Sequence, residues 1–318
     1  MTLPARKPDW LRVRLPTGPR QEEFQGIKSR FRSRGVHTVC EEARCPNIFE
    51  CWGQGTATVM ILGETCTRGC RFCSVNTGKP GGTVDPDEPE NTAVSLAEMG
   101  LAYVVLTMVD RDDLNDGGAA HVAKTVRRIK HHSPKLRVET LVGDFGGDHD
   151  DIRTVAQEGR PDVFAHNVEV VPRLQRAIRD ARCSWDRSVD VLVAAKGLGS
   201  SITKSSLMVG LGEEREDVLD AMRLLREADV DVLTIGQYLR PTKRHAPVER
   251  YVEPAEFSDY EQAGLDMGFR FVASGPLVRS SYRAAEAFLT GALAQDADAR
   301  EVPPMDRYGR KRKLAVLT

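Results

Sequence analysis

Six of the seven cysteines in this chain fall between residues 40 and 73, in two sets of three. Cys66, Cys70 and Cys73 make a C-x₃-C-x₂-C array in CTRGCRFCSVNTGKP, residues 66–80, and Cys40, Cys45 and Cys51 make a C-x₄-C-x₅-C array in CEEARCPNIFEC. Thiolates are soft ligands that suit zinc and iron–sulfur clusters. A structural site of either kind usually takes four protein ligands, and neither set supplies a fourth. Three thiolates on a [4Fe–4S] cube leave one iron open. An open iron can chelate a small molecule through amino and carboxylate groups, the distinction that also separates catalytic from structural zinc. The opposing reading is a partial zinc knuckle or a group of buried thiols. Zinc is disfavoured because neither set closes a tetrahedron alone. In a secreted mini-protein such crowding would mean disulfides; in a cytosolic protein of this size it means metal or redox chemistry. Cys183 stands alone and reads as a small core residue.

These cysteines need a scaffold, and the chain has the material for one. It has 318 residues, 41% hydrophobic and 29% charged, with a formal net charge of −1. That balance gives no electrostatic case for nucleic acid or an anionic membrane as main partner. The longest apolar run, LAYVVLTMV at 101–109, is far too short to span a bilayer. The N-terminus is basic without an apolar core segment, and it reads as the mature arm of a cytoplasmic protein. From residue 56, short apolar segments alternate with helical patterns. Strands are expected at 56–62, 101–108, 136–142, 162–169, 203–210, 231–239 and 269–274, and their two-sided apolar character marks a parallel sheet. Ser184 caps a helix whose stripe is Trp185, Val189, Leu192 and Val193; Val218, Leu219, Met222, Leu225 and Arg226 line another. Further helices are expected near 20–34 and at 254–267. Six βα units in a row predict an α/β fold, a full or partial (β/α)₆ TIM-like barrel, with a flat doubly wound sheet as the alternative. Either way ligands bind at the carboxyl ends of the strands, where the Cys66 loop falls.

Other segments admit two readings. TMVDRDDLNDGG, 107–118, gathers Asp110, Asp112, Asp113 and Asp116 after a strand, which is either a ligand-lining loop or a capped helix start. In HNVE, Asn167 and Glu169 either hold a ribose or an amine, or pair with each other at a strand end. Arg240 and Arg279 are either carboxylate contacts or exposed arginines. GLGSSITKS fails as a phosphate loop, because Thr203 stands where glycine must precede the lysine. The basic tail RYGRKRK, 307–313, reads as mobile.

The C-x₃-C-x₂-C array with Phe72 before its last cysteine resembles the signature of radical S-adenosylmethionine (SAM) enzymes. The C-x₄-C-x₅-C array resembles one family among them, lipoyl synthase. HTVCEEARCPNIFECW, NTGKP, RDDLNDGGA, HNVEVVPRL, TKSSLMVGLGE, QYLRPT and GPLVRSSYRA look like family blocks, in family order from residue 37 to 284. The resemblance implies a radical SAM cluster on Cys66, Cys70 and Cys73 that splits SAM to methionine and a 5′-deoxyadenosyl radical. It implies an auxiliary [4Fe–4S] cluster on Cys40, Cys45, Cys51 and a serine of the RSSY block, carried over as Ser281. A hard alkoxide ligand in a soft site would make that iron the easiest to lose. Thr107, Asn167, Glu169 and Arg240 are the positions it offers for SAM contacts.

The implied reaction draws two sulfur atoms from the auxiliary cluster into C6 and C8 of an octanoyl chain on a carrier lysine, with two SAM molecules cleaved. The carriers would be 2-oxoacid dehydrogenase subunits or the glycine-cleavage carrier protein. A reduced flavodoxin or ferredoxin would give electrons, and an iron–sulfur carrier would repair the cluster. The implied domains are an extension at 1–55 carrying the auxiliary cysteines, the barrel at 56–275, and an extension at 276–318 with the serine ligand. The enzyme alternative is another sulfur-inserting radical enzyme, such as a methylthiotransferase or biotin synthase; the non-enzyme alternative is a zinc-binding scaffold.

Overall fold

The computed structural model describes residues 7–12, 37–38, 56–200 and 202–281. The C-x₄-C-x₅-C cysteines and the expected helix near 20–34 lie outside the described residues. One eight-stranded sheet organises the rest, with strands in strict sequence order: β1 His37–Thr38, β2 Thr56–Ile61, β3 Tyr103–Met108, β4 Arg137–Leu141, β5 Val163–Ala165, β6 Thr203–Val209, β7 Val232–Gln237 and β8 Phe271–Gly275. β1 pairs antiparallel with β2, and every later pairing is parallel. A doubly wound sheet must reverse its strand order at a switch point. This order never reverses, so the α/β expectation resolves to the singly wound, partial-barrel form.

Helices cross between the parallel strands: α1 Glu88–Met99, α2 Ala119–His132, α3 His149–Arg153, α4 Trp185–Gly197, α5 Arg215–Glu227 and α6 Pro254–Asp266. Alternation along each strand decides which face meets them. Val104 and Leu106 of β3 pack with Ala93 and Leu96 of α1 and Val122 of α2, whereas Tyr103 and Val105 pack with Leu141 on the opposite face. Burying a side chain of this size against a helix contributes roughly 1.5–3 kcal/mol.

Two expectations are corrected. In α4 the Ser184 side chain does accept the Arg187 amide, but the buried stripe is Trp185, Ser188, Val191, Leu192 and Ala195. Val193 is 46% exposed. Helical periodicity from Trp185 runs through 188, 192 and 195, and Val193 falls beyond its edge. The expected strand at 162–169 stops at Ala165. Ser205 Oγ accepts the Val168 amide at 3.2 Å, and the segment rejoins β6 only at Glu169, whose φ is +66°. The detour re-aims Asn167 and Glu169 at the carboxyl end of the sheet, as a bulge does.

Candidate metal centre

β2 delivers the chain directly into the cysteine loop. Thr65–Cys66 pairs with Asn76–Thr77, and the Gly78 amide donates to Cys66 O at 2.9 Å, so the loop closes on its own base. Three neighbours then fix it. From the loop after β3, Asp110 O accepts the Thr67 amide at 3.0 Å. From the segment before α4, Ile178 O accepts the Arg71 amide at 2.8 Å, and Asp180 Oδ2 accepts the Gly69 amide at 2.8 Å. From the loop after β7, the Ala246 amide donates to Arg71 O at 2.8 Å, and His245 Nε2 lies 2.8 Å from Cys73 O. A carbonyl can only accept, so His245 carries a proton on Nε2, and its Nδ1 lies 2.9 Å from the Thr242 hydroxyl.

Cys66, Cys70 and Cys73 are free, half-buried thiols. Among the described residues no three His, Cys, Asp or Glu side chains converge on one metal position. Burial and the Asp110 charge push the Cys66 thiol up, and burial lifts Cys73 to about 11, with Glu169 adding to it. A shared hydrogen bond with Cys183, then burial, holds Cys70 well above the ordinary thiol range. All three keep their protons at neutral pH, and metal binding must displace them.

Beside the loop lies a dense ion network. Arg68, a member of the loop, grips Asp144 through both terminal nitrogens at 2.8 and 2.6 Å and reaches Asp112 through Nε and Nη2. Its side chain is 2% exposed and that of Asp144 is fully buried. Burial alone would push the Asp144 carboxyl up, but the Arg68 hydrogen bonds and charge outweigh it and hold the carboxyl below its ordinary value. Arg182 extends the web to Asp112, Asp180 and Thr67 O. A pocket of about 180 Å³, lined in part by Arg68, Met108, Asp110 and Asn115, opens there. Gly143 also lines it, and a Cβ on that residue would run into the Asp110 carboxylate. A larger cavity of about 390 Å³ borders Thr65, Glu88 and Arg111, and Arg111 lines both.

The expected site residues divide in position. Glu169 acts electrostatically on Cys73, and Asn167 Nδ2 donates to Glu169 Oε1 at 3.1 Å, so this pair reaches the loop and also pairs with itself. Burial pushes the Glu169 carboxyl up. Thr107 is half-buried near the carboxyl end of β3. Arg240 is exposed and spends its donors on His245 O and Lys243 O, which shapes the His245 strap. Ser281 is half-buried in the turn that follows β8. The cysteines it is expected to join lie outside the described residues.

Sequence reasoning missed Arg68, Asp144, Asp180 and His245. The only signal was a pair of arginines inside the cysteine array, which spacing alone cannot assign. Cys183 is buried, as expected of a small core residue, and Arg68 Nη1 donates to its sulfur at 3.5 Å.

Comparison with known proteins adds the family context. The Radical SAM superfamily profile matches residues 60–225, and that of the N-terminal domain of lipoyl synthase of the Radical SAM family matches residues 3–45. A lipoyl synthase from Sorangium cellulosum is 53% identical over 94% of this chain and 83% of its own length. A mitochondrial lipoyl synthase from Fusarium vanettenii is 56% identical over 91% of this chain and 71% of its own. Among solved structures, the FeFe-hydrogenase maturase HydG from Carboxydothermus hydrogenoformans superposes with a TM-score of 0.53 at 11% identity, covering 79% of this chain and 69% of that one. Methylornithine synthase (PylB) does so at 0.52 and 15%, covering 81% and 86%. At such identities the two structures speak for the fold alone. No helix among the described residues is long and apolar enough to cross a membrane.

Proposed function

The chain belongs to the lipoyl synthase family of radical SAM enzymes, and we propose that it inserts sulfur at C6 and C8 of an octanoyl chain carried on a lysine of a lipoyl carrier domain. The observation that carries this reading is the placement of Cys66, Cys70 and Cys73, three free, half-buried thiols in the loop that follows the first parallel strand, beside a pocket that Arg68 lines. When bound, a cluster there supplies the electron that splits SAM, and an auxiliary cluster on Cys40, Cys45, Cys51 and Ser281 supplies the sulfur.

The chain's own residues do the positioning. Asp110, Ile178, Asp180 and His245 hold the loop backbone from three sides, so the thiols are preorganised rather than collected on binding. Asn167, Glu169 and Thr107 line the carboxyl end and are assigned to the amino and ribose groups of SAM. Arg240 is assigned an indirect part, through the strap it braces. The radicals must not meet water or oxygen, so the loaded site has to exclude solvent during turnover. In the proposed division, residues 1–55 carry the auxiliary cysteines, 56–275 the barrel, and 276–318 the serine ligand. The proposed donor is a reduced flavodoxin or ferredoxin in the cytoplasm, with an iron–sulfur carrier rebuilding the auxiliary cluster.

Product analysis tests the proposal. With reductant, SAM and an octanoylated carrier domain, mass spectrometry should show two sulfur atoms gained per carrier and two 5′-deoxyadenosines released. One sulfur capped by a methyl group would point to a methylthiotransferase, and no sulfur at all would remove the reading.

A further inference from the structure

Three segments that meet at the cysteine loop share a charge that the positioning of the thiols does not use. Residues 66–84, 170–179 and 238–248 hold nine Arg and Lys and no Asp or Glu, in a chain where 45 basic residues meet 46 acidic ones. The fold joins them at Arg71, which stands between Cys70 and Cys73. The Arg71 amide donates to Ile178 O and its carbonyl accepts the Ala246 amide, both at 2.8 Å, while its guanidinium donates to Ala177 O at 2.8 Å. Arg176 and Arg244 are each two residues from those backbone bonds. Of the nine cations, Arg68 and Arg179 are buried and Arg173 meets Asp217 at 2.6 Å. Arg71, Arg176, Lys243 and Arg244 are exposed. The side chains of Arg176, Lys243 and Arg244 make no hydrogen bond or ion pair with any described residue. Exposed arginines of the helical layer do otherwise: Arg127 of α2 meets Glu158 at 3.5 Å, and Arg215 of α5 meets Asp259 at 3.2 Å.

We propose that this face is the docking site of the electron donor, a small acidic protein of the flavodoxin or ferredoxin kind. The proposal rests on the reading of Cys66, Cys70 and Cys73 as cluster ligands. Electron transfer weakens steeply with distance, so the donor has to sit over the part of the chain that separates those ligands from solvent. Arg71 is inside the ligand array, and the segments bonded to it carry the free cations. Electron-transfer complexes are small, below about 1,200 Å² of buried surface, and weak. Area cannot select the partner at that size; complementary charge does, by steering the encounter and setting its register. A donor also has to leave once it has given its electron. Exposed cations speed association without holding the complex together afterwards. One electron leaves the reduced donor for each SAM cleaved, so a one-electron donor docks twice per lipoyl group. The octanoyl lysine has a different destination, the carboxyl end of the barrel where Asn167 and Glu169 stand.

The test compares reductants on the full-length, reconstituted chain. Dithionite is small and needs no docking face; reduced flavodoxin and reduced ferredoxin, supplied separately below saturation, do. With Arg176→Glu, Lys243→Glu and Arg244→Glu combined, dithionite-driven release of 5′-deoxyadenosine should stay within about twofold of wild type, while release driven by the better protein donor should fall about tenfold or more. Added salt should slow the protein-driven rate of wild type more than that of the variant. Carbodiimide, which couples amines to carboxylates, should join Lys243 of the wild-type chain to that donor, a result independent of how the variant folds. The proposal is overturned if the protein-driven rate survives the charge reversal, if both rates fall together at unchanged iron content, or if the cross-links avoid Lys243. It is also overturned if the variant raises the KM for an octanoylated carrier domain and leaves the donor-driven rate alone, because the face would then dock the substrate. Absence of SAM cleavage by wild type with dithionite would instead remove the cluster reading, while the cross-link would still report on the face.

Discussion

Two buried ionic clusters occupy this sheet, and they differ in what they hold together. On the barrel's inner face, Lys204 Nζ donates to both oxygens of Glu139 at 2.8 and 2.9 Å, and Tyr103 OH donates to the same carboxylate at 2.7 Å. Its three members come from β3, β4 and β6, and the side chains of the Lys–Glu pair are 4% and 1% exposed. At the rim, Arg68 leaves the cysteine loop to meet Asp144, Asp112 and Asp110, which lie in loops after β3 and β4. The inner cluster ties strand to strand; the rim cluster ties a reactive loop to strands. A buried ion pair is a poor source of net stability, yet losing one partner is costly because a charge is stranded. The inner cluster should therefore behave as scaffold, and the rim cluster as the device that fixes where Cys66 and Cys70 stand.

Substitutions can break that contrast. Glu139→Leu strands Lys204 in the interior and should lower the unfolding free energy by about 3–5 kcal/mol in denaturant titration. Adding Lys204→Met should recover all but roughly 1–3 kcal/mol, the cost of the orphaned Tyr103 hydroxyl. If Glu139→Leu alone costs under about 1 kcal/mol, the charge is being met by water and the inner cluster is not closed.

Arg68→Leu should cost less stability, about 2–3 kcal/mol, because Asp144 keeps the Gly146 amide and has Arg187 3.8 Å away. Its main effect should be on iron: reconstituted chain should lose iron from the Cys66 loop several times faster than the Glu139→Leu/Lys204→Met pair does. Equal iron loss in both would erase the distinction between the clusters.

The smallest effect comes from carboxylates that no arginine meets. Partial burial, with Asp148, Asp116 and Asp150 nearby, raises Asp151 to about 6. An unfolded aspartate titrates near about 3.9, so the native state holds the extra proton between those values. Stability should then fall as pH rises from about 4 to about 6. Asp151→Asn should flatten that slope, by less than about 1 kcal/mol given solvent screening. A slope unchanged in the variant would assign it to other groups.

The sheet was legible in sequence because its strands are apolar on both faces and regularly spaced. β2, β3, β4, β6, β7 and β8 fall where those runs predict. β5 was overextended because Val168 and Val170 continue the apolar run, while the detour that ends the strand depends on Ser205, a residue of another strand. The cysteine loop was legible because its ligands are local. Its supports were not: Arg68 finds Asp144 across 76 residues and His245 finds Cys73 across 172. Thr107 and Ser281 are positions that the family pattern alone singled out, with no local signal of their own.

The central claim is that two separate cysteine sets hold two clusters with different tasks. Iron and acid-labile sulfide per chain, after anaerobic reconstitution, test it most directly when wild type is run beside the Cys40→Ala/Cys45→Ala/Cys51→Ala variant. The account predicts about eight irons falling to about four, with SAM cleavage retained in the variant and sulfur insertion lost. About four irons in both chains would contradict it, because the first cysteine set would then hold no cluster.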